Sequence, residues 1–280
     1  MRAAVVGHVE WVEFARVERV PVAGEIVQAG ETWAEAAGGG GVASVQLAQL
    51  TGDCTLFTAL GPDEPGVRAR EQLAGLGVRV ESGRRDERQR RAFTFVDGDG
   101  ERTITIIGEK HVPRRSDPLP WADLGAVDAL YFVSGDADAL RAARAARVLV
   151  ATARVLPTIA EAGVALDALV RSGSDPGERY RPGDLDPEPD VVVATAGRRG
   201  GAWSAASGRA GSYDPVPLPG PLEDSYGAGD SFAAGLTYAL ARERDVERAV
   251  AFAARLASAA LARRGAHGRQ PEGPSSRRRM

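Results

Sequence analysis

The chain predicts an α/β fold, with a mostly parallel sheet covered on both faces by helices and a small β-sheet lid beside it. Three observations carry this. Short buried apolar runs such as Ala3 to Gly7, Thr55 to Leu60 and Val191 to Ala194 alternate with helical patterns, the rhythm of strand–helix crossovers. Two stretches, about 13–37 and 88–110, break that rhythm and read as antiparallel strands. Glycine-rich turns stand ahead of two helical patterns, at Gly38 to Gly41 and at Gly227 to Gly229.

In chain order, the first strand is Ala3 to Gly7, and the segment Glu13 to Trp33 is strand-like around a Pro21–Gly24 turn. Val42, Val45, Leu47 and Leu50 give a helix after the glycines. A strand at Thr55 to Leu60 leads to a helix over Val67 to Leu76, with Gly77 as its C-cap. Phe93, Phe95, Ile104 and Ile106 alternate with polar residues around Asp97-Gly98-Asp99-Gly100, which predicts a hairpin over 92–107. Beyond Pro113, Pro118 and Pro120, strands are expected at Asp128 to Val133, Val148 to Ala151, Ala168 to Val170 and Val191 to Ala194. Helices are expected at Ala137 to Val148, Ser231 to Arg242 and Val246 to Arg263. One domain over 1–268 is expected, with a disordered polar tail over 269–280 whose Arg277 to Arg279 are solvated.

Composition narrows the class. The net charge of −3 gives no reason to expect a nucleic-acid or membrane-surface partner. A single cysteine, Cys54, excludes an internal disulfide framework, and its apolar neighbours make it a core thiol. With no membrane-length apolar run and no signal-peptide pattern, a cytoplasmic protein is expected. Lys110 is the only lysine, and it stands in Gly108-Glu109-Lys110-His111, which is neither a P-loop nor the strand lysine of a protein kinase. If phosphates are handled, they are handled by another device.

That device is Asp224-Ser225-Tyr226-Gly227-Ala228-Gly229-Asp230-Ser231-Phe232. Glycines let backbone approach a ligand closely, and the helix that follows offers free N–H groups and the positive end of its dipole. Asp230, in the first helical turn, is placed to take a proton from an attacking hydroxyl. The bland alternative is a glycine turn with Asp230 stabilising the helix start.

The string resembles the Asp-Thr-x-Gly-Ala-Gly-Asp signature of the ribokinase-like (PfkB) carbohydrate kinase family. Val17 to Pro21 with Gly24-Glu25, the glycines Gly38 to Gly41, Ala59 to Asp63 with Gly66, Asp190 to Gly200, and Arg264-Gly265-Ala266 follow the family's order and spacing. The resemblance implies a doubly wound sheet with a β lid and ATP-dependent transfer to a hydroxyl of a sugar, nucleoside or similar small alcohol. It also implies Mg²⁺, in many members K⁺, and a homodimer through the lid. Gly227, Ala228 and Gly229 would form the anion hole and Asp230 the base. Asp224, Ser225, Thr195, Gly197, Gly200, Gly265 and Ala266 would line the nucleotide side, and Gly38, Gly39 and Gly40 the acceptor side. Asp175-Pro176-Gly177-Glu178 resembles a segment that organises Mg²⁺, which makes Asp175 and Glu178 metal candidates; a turn with solvated acids is the alternative.

The departures lie in the acceptor region. Val12 stands where the family has an aspartate that grips sugar hydroxyls, Glu10 where it has an asparagine, and Val42 or Ala43 where a second asparagine is usual. Tyr226 replaces a residue that is usually small. His8, Glu10 and Trp11 are candidate substitutes, with Trp11 stacking on a flat acceptor; Trp11 packed under the lid and a structural His8 are the alternative. Arg102 is expected as a solvated lid charge, and His111 and His267 receive no role. A catalytically silent metabolite-binding relative stays open beside the kinase.

Overall fold

The computed structural model describes residues 1–268; the tail expected at 269–280 lies outside the described residues. β1 (Ala3–Val6) pairs in parallel with β4 (Cys54–Leu60) on one side and β8 (Ala129–Phe132) on the other. β5 (Val78–Arg84) lies beyond β4. On the far side, β9 (Leu149–Thr152), β10 (Ala168–Ser172) and β11 (Val191–Thr195) continue the parallel run. An antiparallel pair, β12 (Gly201–Ala205) and β13 (Ala210–Tyr213), closes the edge of this nine-stranded sheet.

Both faces of the sheet are buried, and β1 shows how. Ala3 and Val5 join the core under α1 (Gly38–Thr51), α2 (Glu64–Gly75), α5 (Ala228–Glu243) and α6 (Val246–Leu261). Ala4 and Val6 join the core under α3 (Ala137–Ala143) and α4 (Leu156–Ala162). Strictly alternating side chains make a fully apolar strand serve two layers. Cys54 lies in the first of these cores, where burial pushes its thiol pKa up.

The lid is a second sheet in the order β3 (Glu31–Ala37), β2 (Glu10–Arg16), β6 (Arg91–Val96), β7 (Arg102–Ile107). It begins at Glu10 rather than near residue 13. It is also not wholly antiparallel, because β2 and β6 pair in parallel. Val12, Phe14, Ala37, Ala92 and Val96 pack from the lid onto Val42 and Tyr226. Val12, and Val42 of the Val42–Ala43 pair, thus belong to an apolar contact between lid and body.

Several local expectations change. α3 stops at Ala143 instead of reaching Val148. Two tight turns follow it (Ala145 N to Ala142 O, Ala146 N to Ala143 O), and the Arg144 guanidinium holds Ala146 O and Asp167 at 2.8 Å each, steering the chain into β9. β5, α4 and the β12–β13 hairpin were not foreseen from the apolar pattern.

Candidate active site

The signature turn is held at both ends by Asp224, whose carboxylate is fully buried. Its Oδ1 accepts from Tyr226 N at 2.8 Å and its Oδ2 from Gly265 N at 3.0 Å, so the signature and the Gly265–Ala266 turn are tied together. Gly227 adopts φ +74°, a conformation that favours glycine, and a Cβ there would meet Val42 at 3.0 Å. α5 then starts with no side-chain cap. The amides of Ala228, Gly229 and Asp230 precede the first intrahelical bond, Ser231 N to Gly227 O, and have no protein partner among the described residues. Gly229 is exposed, and a Cβ on it would meet nothing within 4 Å. An uncapped helix start with an open glycine face is an anion-binding surface.

Asp230 points from this turn toward the start of α1. A Cβ on Gly39 would lie 3.0 Å from its Oδ1. The residue is half-buried, yet its carboxylate is sunk deeply enough that its pKa is pushed up to about 6. Desolvation is the main cause; the cations Arg102 and Arg154 oppose it, and the carboxylates of Glu178 and Glu10 add to it. Arg102 is therefore not an idle lid charge. Its guanidinium bonds Ser225 O and stands 5.6 Å over the Tyr226 ring. Tyr226 fills the space under the lid edge-on to Phe14, and its hydroxyl accepts from Gly38 N at 3.2 Å.

The acceptor-side residues gather on the other side of that glycine turn. A Cβ on Gly38 would meet Glu10 N at 3.1 Å and the His8 ring at 3.3 Å. Gly40 donates to His8 O at 3.0 Å, and a Cβ there would lie 2.6 Å from the same oxygen, so the α1 start can rest on the end of β1 only without side chains. Glu10 is buried and pairs with Arg90 (Oε1–Nε 2.7 Å); burial raises its pKa, and Arg90 and Lys110 pull it back. His8 contacts Ser134 Oγ at 3.1 Å, and burial holds its pKa down at about 3, so the ring is neutral. Trp11 is a correction. It is buried in the core on the opposite face of β2, with the Arg68 guanidinium stacked 4.6 Å from its ring, so no face remains for a ligand.

Of the residues expected on the nucleotide side, Thr195 ends β11, and Gly197 (φ +56°) and Gly200 (φ +76°) turn the chain back into β12. Ala196 N donates to Gly200 O at 2.7 Å, which closes this loop. Ala266 N donates to Glu35 Oε1 at 2.6 Å. Glu35, from lid strand β3, is buried; burial pushes its pKa up to about 7, and Ala266, Trp33 and Arg264 offset part of the shift. His267 also ties to β3, through its Nε2 and Ala36 O at 2.6 Å, and is structural.

The expected Mg²⁺ pair does not fit direct ligation. Asp175 Oδ2 and Glu178 Oε1 both lie 2.6 Å from Arg154 Nη2, Glu178 Oε2 accepts from Ser172 N at 2.6 Å, and Asp175 Oδ1 accepts from Gly177 N at 2.8 Å. All four oxygens are taken by protein donors. Among the described residues, no group of three or more His, Cys, Asp or Glu is arranged to hold a metal. Arg154 itself, an exposed cation near Asp230, escaped the reading of the sequence because it sits 76 residues away from it on a different strand end.

One helix start with bare amides, that of α5, facing the glycine start of α1 beneath a small lid at the ends of parallel strands, suits an α/β enzyme that handles phosphate esters. Comparison with known proteins makes the assignment specific. The chain belongs to the pfkB family of carbohydrate kinases, whose family model matches residues 2–175 and 185–272. It is a PfkB-type kinase, a phosphotransferase with an alcohol group as acceptor. It is 29% identical to an ATP-dependent ribose-1-phosphate kinase of Halopiger xanaduensis, over 95% of this chain and 94% of that one. The ribokinase of Thermotoga maritima superposes with a TM-score of 0.77 at 20% identity, covering 95% of each chain. The Arabidopsis thaliana ribokinase complexed with ribose and ATP superposes with a TM-score of 0.71 at 20% identity, covering 94% of this chain and 93% of that one. These structural likenesses establish the fold. No helix among the described residues is long and apolar enough to cross a membrane.

Proposed function

We propose that the chain transfers the γ-phosphoryl group of ATP to a hydroxyl of a pentose-sized sugar or a related small alcohol, with Asp230 as the base. The observation that carries this reading is the Asp230 carboxylate: it lies between the two helix starts, desolvated, with its pKa pushed up to about 6. A base poised about one unit below neutral pH is ionised in the cell and basic enough to accept a proton as the hydroxyl attacks. A bond forms between the acceptor oxygen and Pγ, the bond from Pγ to the bridging oxygen of ADP breaks, and the hydroxyl proton passes to Asp230 and then to solvent. The amides of Ala228 and Gly229 face the charge spread over the transferring group. When bound, Mg²⁺ would supply charge neutralisation at the phosphates, and Asp175 and Glu178, which pair with Arg154, would not ligate it directly. Activation by K⁺ belongs to the same reading. Rate measured against added K⁺ tests this.

With Trp11 in the core, the expectation of a flat acceptor falls away. The acceptor named for the Halopiger xanaduensis relative, ribose 1-phosphate, belongs to the same class of compact sugars. The lid edge supports a homodimer: β7 is exposed along its whole length and presents Ile104, Ile106 and Ile107 beside unpaired edge backbone. Sedimentation velocity reads the assembly directly. A nucleotide-dependent enzyme with one buried thiol suits the cytoplasm.

Asp230→Asn tests the central claim. Removing a general base costs about 10²–10⁴-fold in turnover, while ATP binding by calorimetry should persist. Turnover above about a tenth of the unsubstituted rate would remove Asp230 from the mechanism.

A further inference from the structure

The acceptor-side glycines and the anion turn belong to separate segments of the chain. Phosphoryl transfer needs them in register to within about 0.5 Å, so that the reacting atoms stand about 3–3.5 Å apart. A closed circuit of hydrogen bonds fixes that register. Ala266 N donates to Glu35 Oε1 at 2.6 Å, and its neighbour Gly265 N donates to Asp224 Oδ2 at 3.0 Å. Asp224 Oδ1 accepts from Tyr226 N at 2.8 Å, and the Tyr226 hydroxyl accepts from Gly38 N at 3.2 Å. Gly38 is reached from Glu35 through Ala36 and Ala37, so the circuit returns to its start. The Ala36 carbonyl within it is held as well, by His267 Nε2 at 2.6 Å. Glu35, Asp224, Tyr226 and His267 are all buried, so water does not compete for these bonds.

The Glu35 carboxyl is itself held in place. Trp33 Nε1 donates to the same Oε1 at 3.3 Å, and Trp33 is stacked on Phe14 at 4.8 Å with the Arg264 guanidinium 4.9 Å from its ring. Gly265 takes φ +63°, and a Cβ on it would collide with the Glu35 carboxyl, so this turn is shaped to the acid. Burying an acid costs stability that an apolar residue at this place would not. What the carboxyl adds is an acceptor for the Ala266 amide. We propose that Glu35 and Tyr226 are positioning residues that lock the acceptor-side glycine turn to the anion turn, so that a nucleotide bound at one is felt at the other. Gly39, next to Gly38, abuts Asp230, and Gly227, next to Tyr226, abuts Val42 of α1, so a displacement anywhere in the circuit moves the seat of the base. This inference rests on the kinase reading above.

The test is amide hydrogen exchange on the full chain, with and without a non-hydrolysable ATP analogue and Mg²⁺, and with no acceptor present. In the unsubstituted protein the nucleotide should slow exchange at Gly38 to Gly41 as well as at Ala228 and Gly229. The expected slowing at Gly38 to Gly41 is about 5- to 150-fold, the range of ordinary coupling between sites. Glu35→Ala and Tyr226→Phe each open the circuit. Each should keep the protection at Ala228 and Gly229 and lose it at Gly38 to Gly41. The double variant should lose no more than either alone, because one break suffices. Glu35→Gln keeps an oxygen for Ala266 N and should restore the response. A merely structural role would lower the melting temperature of Glu35→Ala without separating the two segments in this way. Tyr226→Phe removes one oxygen and leaves the ring against Phe14, so it carries the test if Glu35→Ala does not fold. Equal protection of both segments in Tyr226→Phe, or an unsubstituted protein in which the nucleotide protects only Ala228 and Gly229, overturns the proposal while the kinase reading stands. Protection that spreads as expected, with no ADP formed from ATP across a panel of pentoses and small alcohols, upholds the circuit and sinks the kinase reading. A chain that binds no nucleotide overturns both.

Discussion

Arg102→Met perturbs the proposed base without touching it. Arg102 is the leading group that holds the Asp230 pKa down against desolvation, and it is exposed on the lid edge, so its loss leaves the core intact. A unit charge acting on a partly desolvated carboxylate in an effective dielectric of about 20 is worth on the order of 1 kcal/mol, which is close to one pKa unit. Removing it should move Asp230 from about 6 toward neutrality. The sign is fixed by the chemistry: the ionised form is the base, so activity is lost as pH falls through the pKa. At pH 7 the ionised fraction should drop from about nine-tenths to about half. The assay is the pH profile of kcat/KM for the acceptor, which reports groups of the free enzyme. The enzyme without substitutions should show an acid limb near 6, and Arg102→Met a limb shifted upward by about one unit. Arg102 also holds Ser225 O, so the plateau will fall as well, and only the position of the limb is diagnostic. A limb that stays in place, or moves to lower pH, would refute Asp230 as the titrating base.

Two further outcomes follow from burial and space. Glu35 has its folded pKa raised from 4.5 to about 7, so the folded state prefers the protonated form; the resulting stability is fully present below pH 4.5 and is lost as pH rises through 7. The difference is on the order of 3 kcal/mol, and thermal unfolding between pH 4.5 and 8 should show a decline that Glu35→Gln flattens. Gly229→Val adds a side chain in open space, so the free protein should melt unchanged, while ATP affinity by calorimetry drops because the β-branched group stands where phosphate must approach. Unchanged ATP affinity would show that the α5 start is not the anion surface.

The strands that lie in the sequence as short apolar runs include those buried on both faces, β1, β4, β8 and β9, because a central strand needs no polar alternation. β12 and β13 escaped because an edge pair in Ala, Gly and Ser has almost no apolar contrast. α3 was overextended because alanine and arginine continue a helical pattern that the Arg144 contacts to Ala146 and Asp167 cut short. Local propensity cannot register a tertiary bond made 23 residues away.

The site divides along the same line. Its contiguous parts, Gly38 to Gly40 and Gly227 to Asp230, were readable because the backbone demand and the residue type coincide: glycine is required where α1 meets His8 O and where Gly227 turns with positive φ. The cations within electrostatic reach of Glu10 and Asp230 come from separate strand ends and loops (Arg90, Arg102, Lys110 and Arg154), and each alone looks like an ordinary solvated cation. Trp11 failed for a simpler reason. Side chains alternate along β2, so with Glu10 facing the glycine turn, the next residue must point into the opposite layer. The same alternation places Val12 on the face of Glu10, under Tyr226, which makes the loss of the family's aspartate a change in the surface that closes over the acceptor. Where the family has polar grips, this chain has an apolar contact between lid and body.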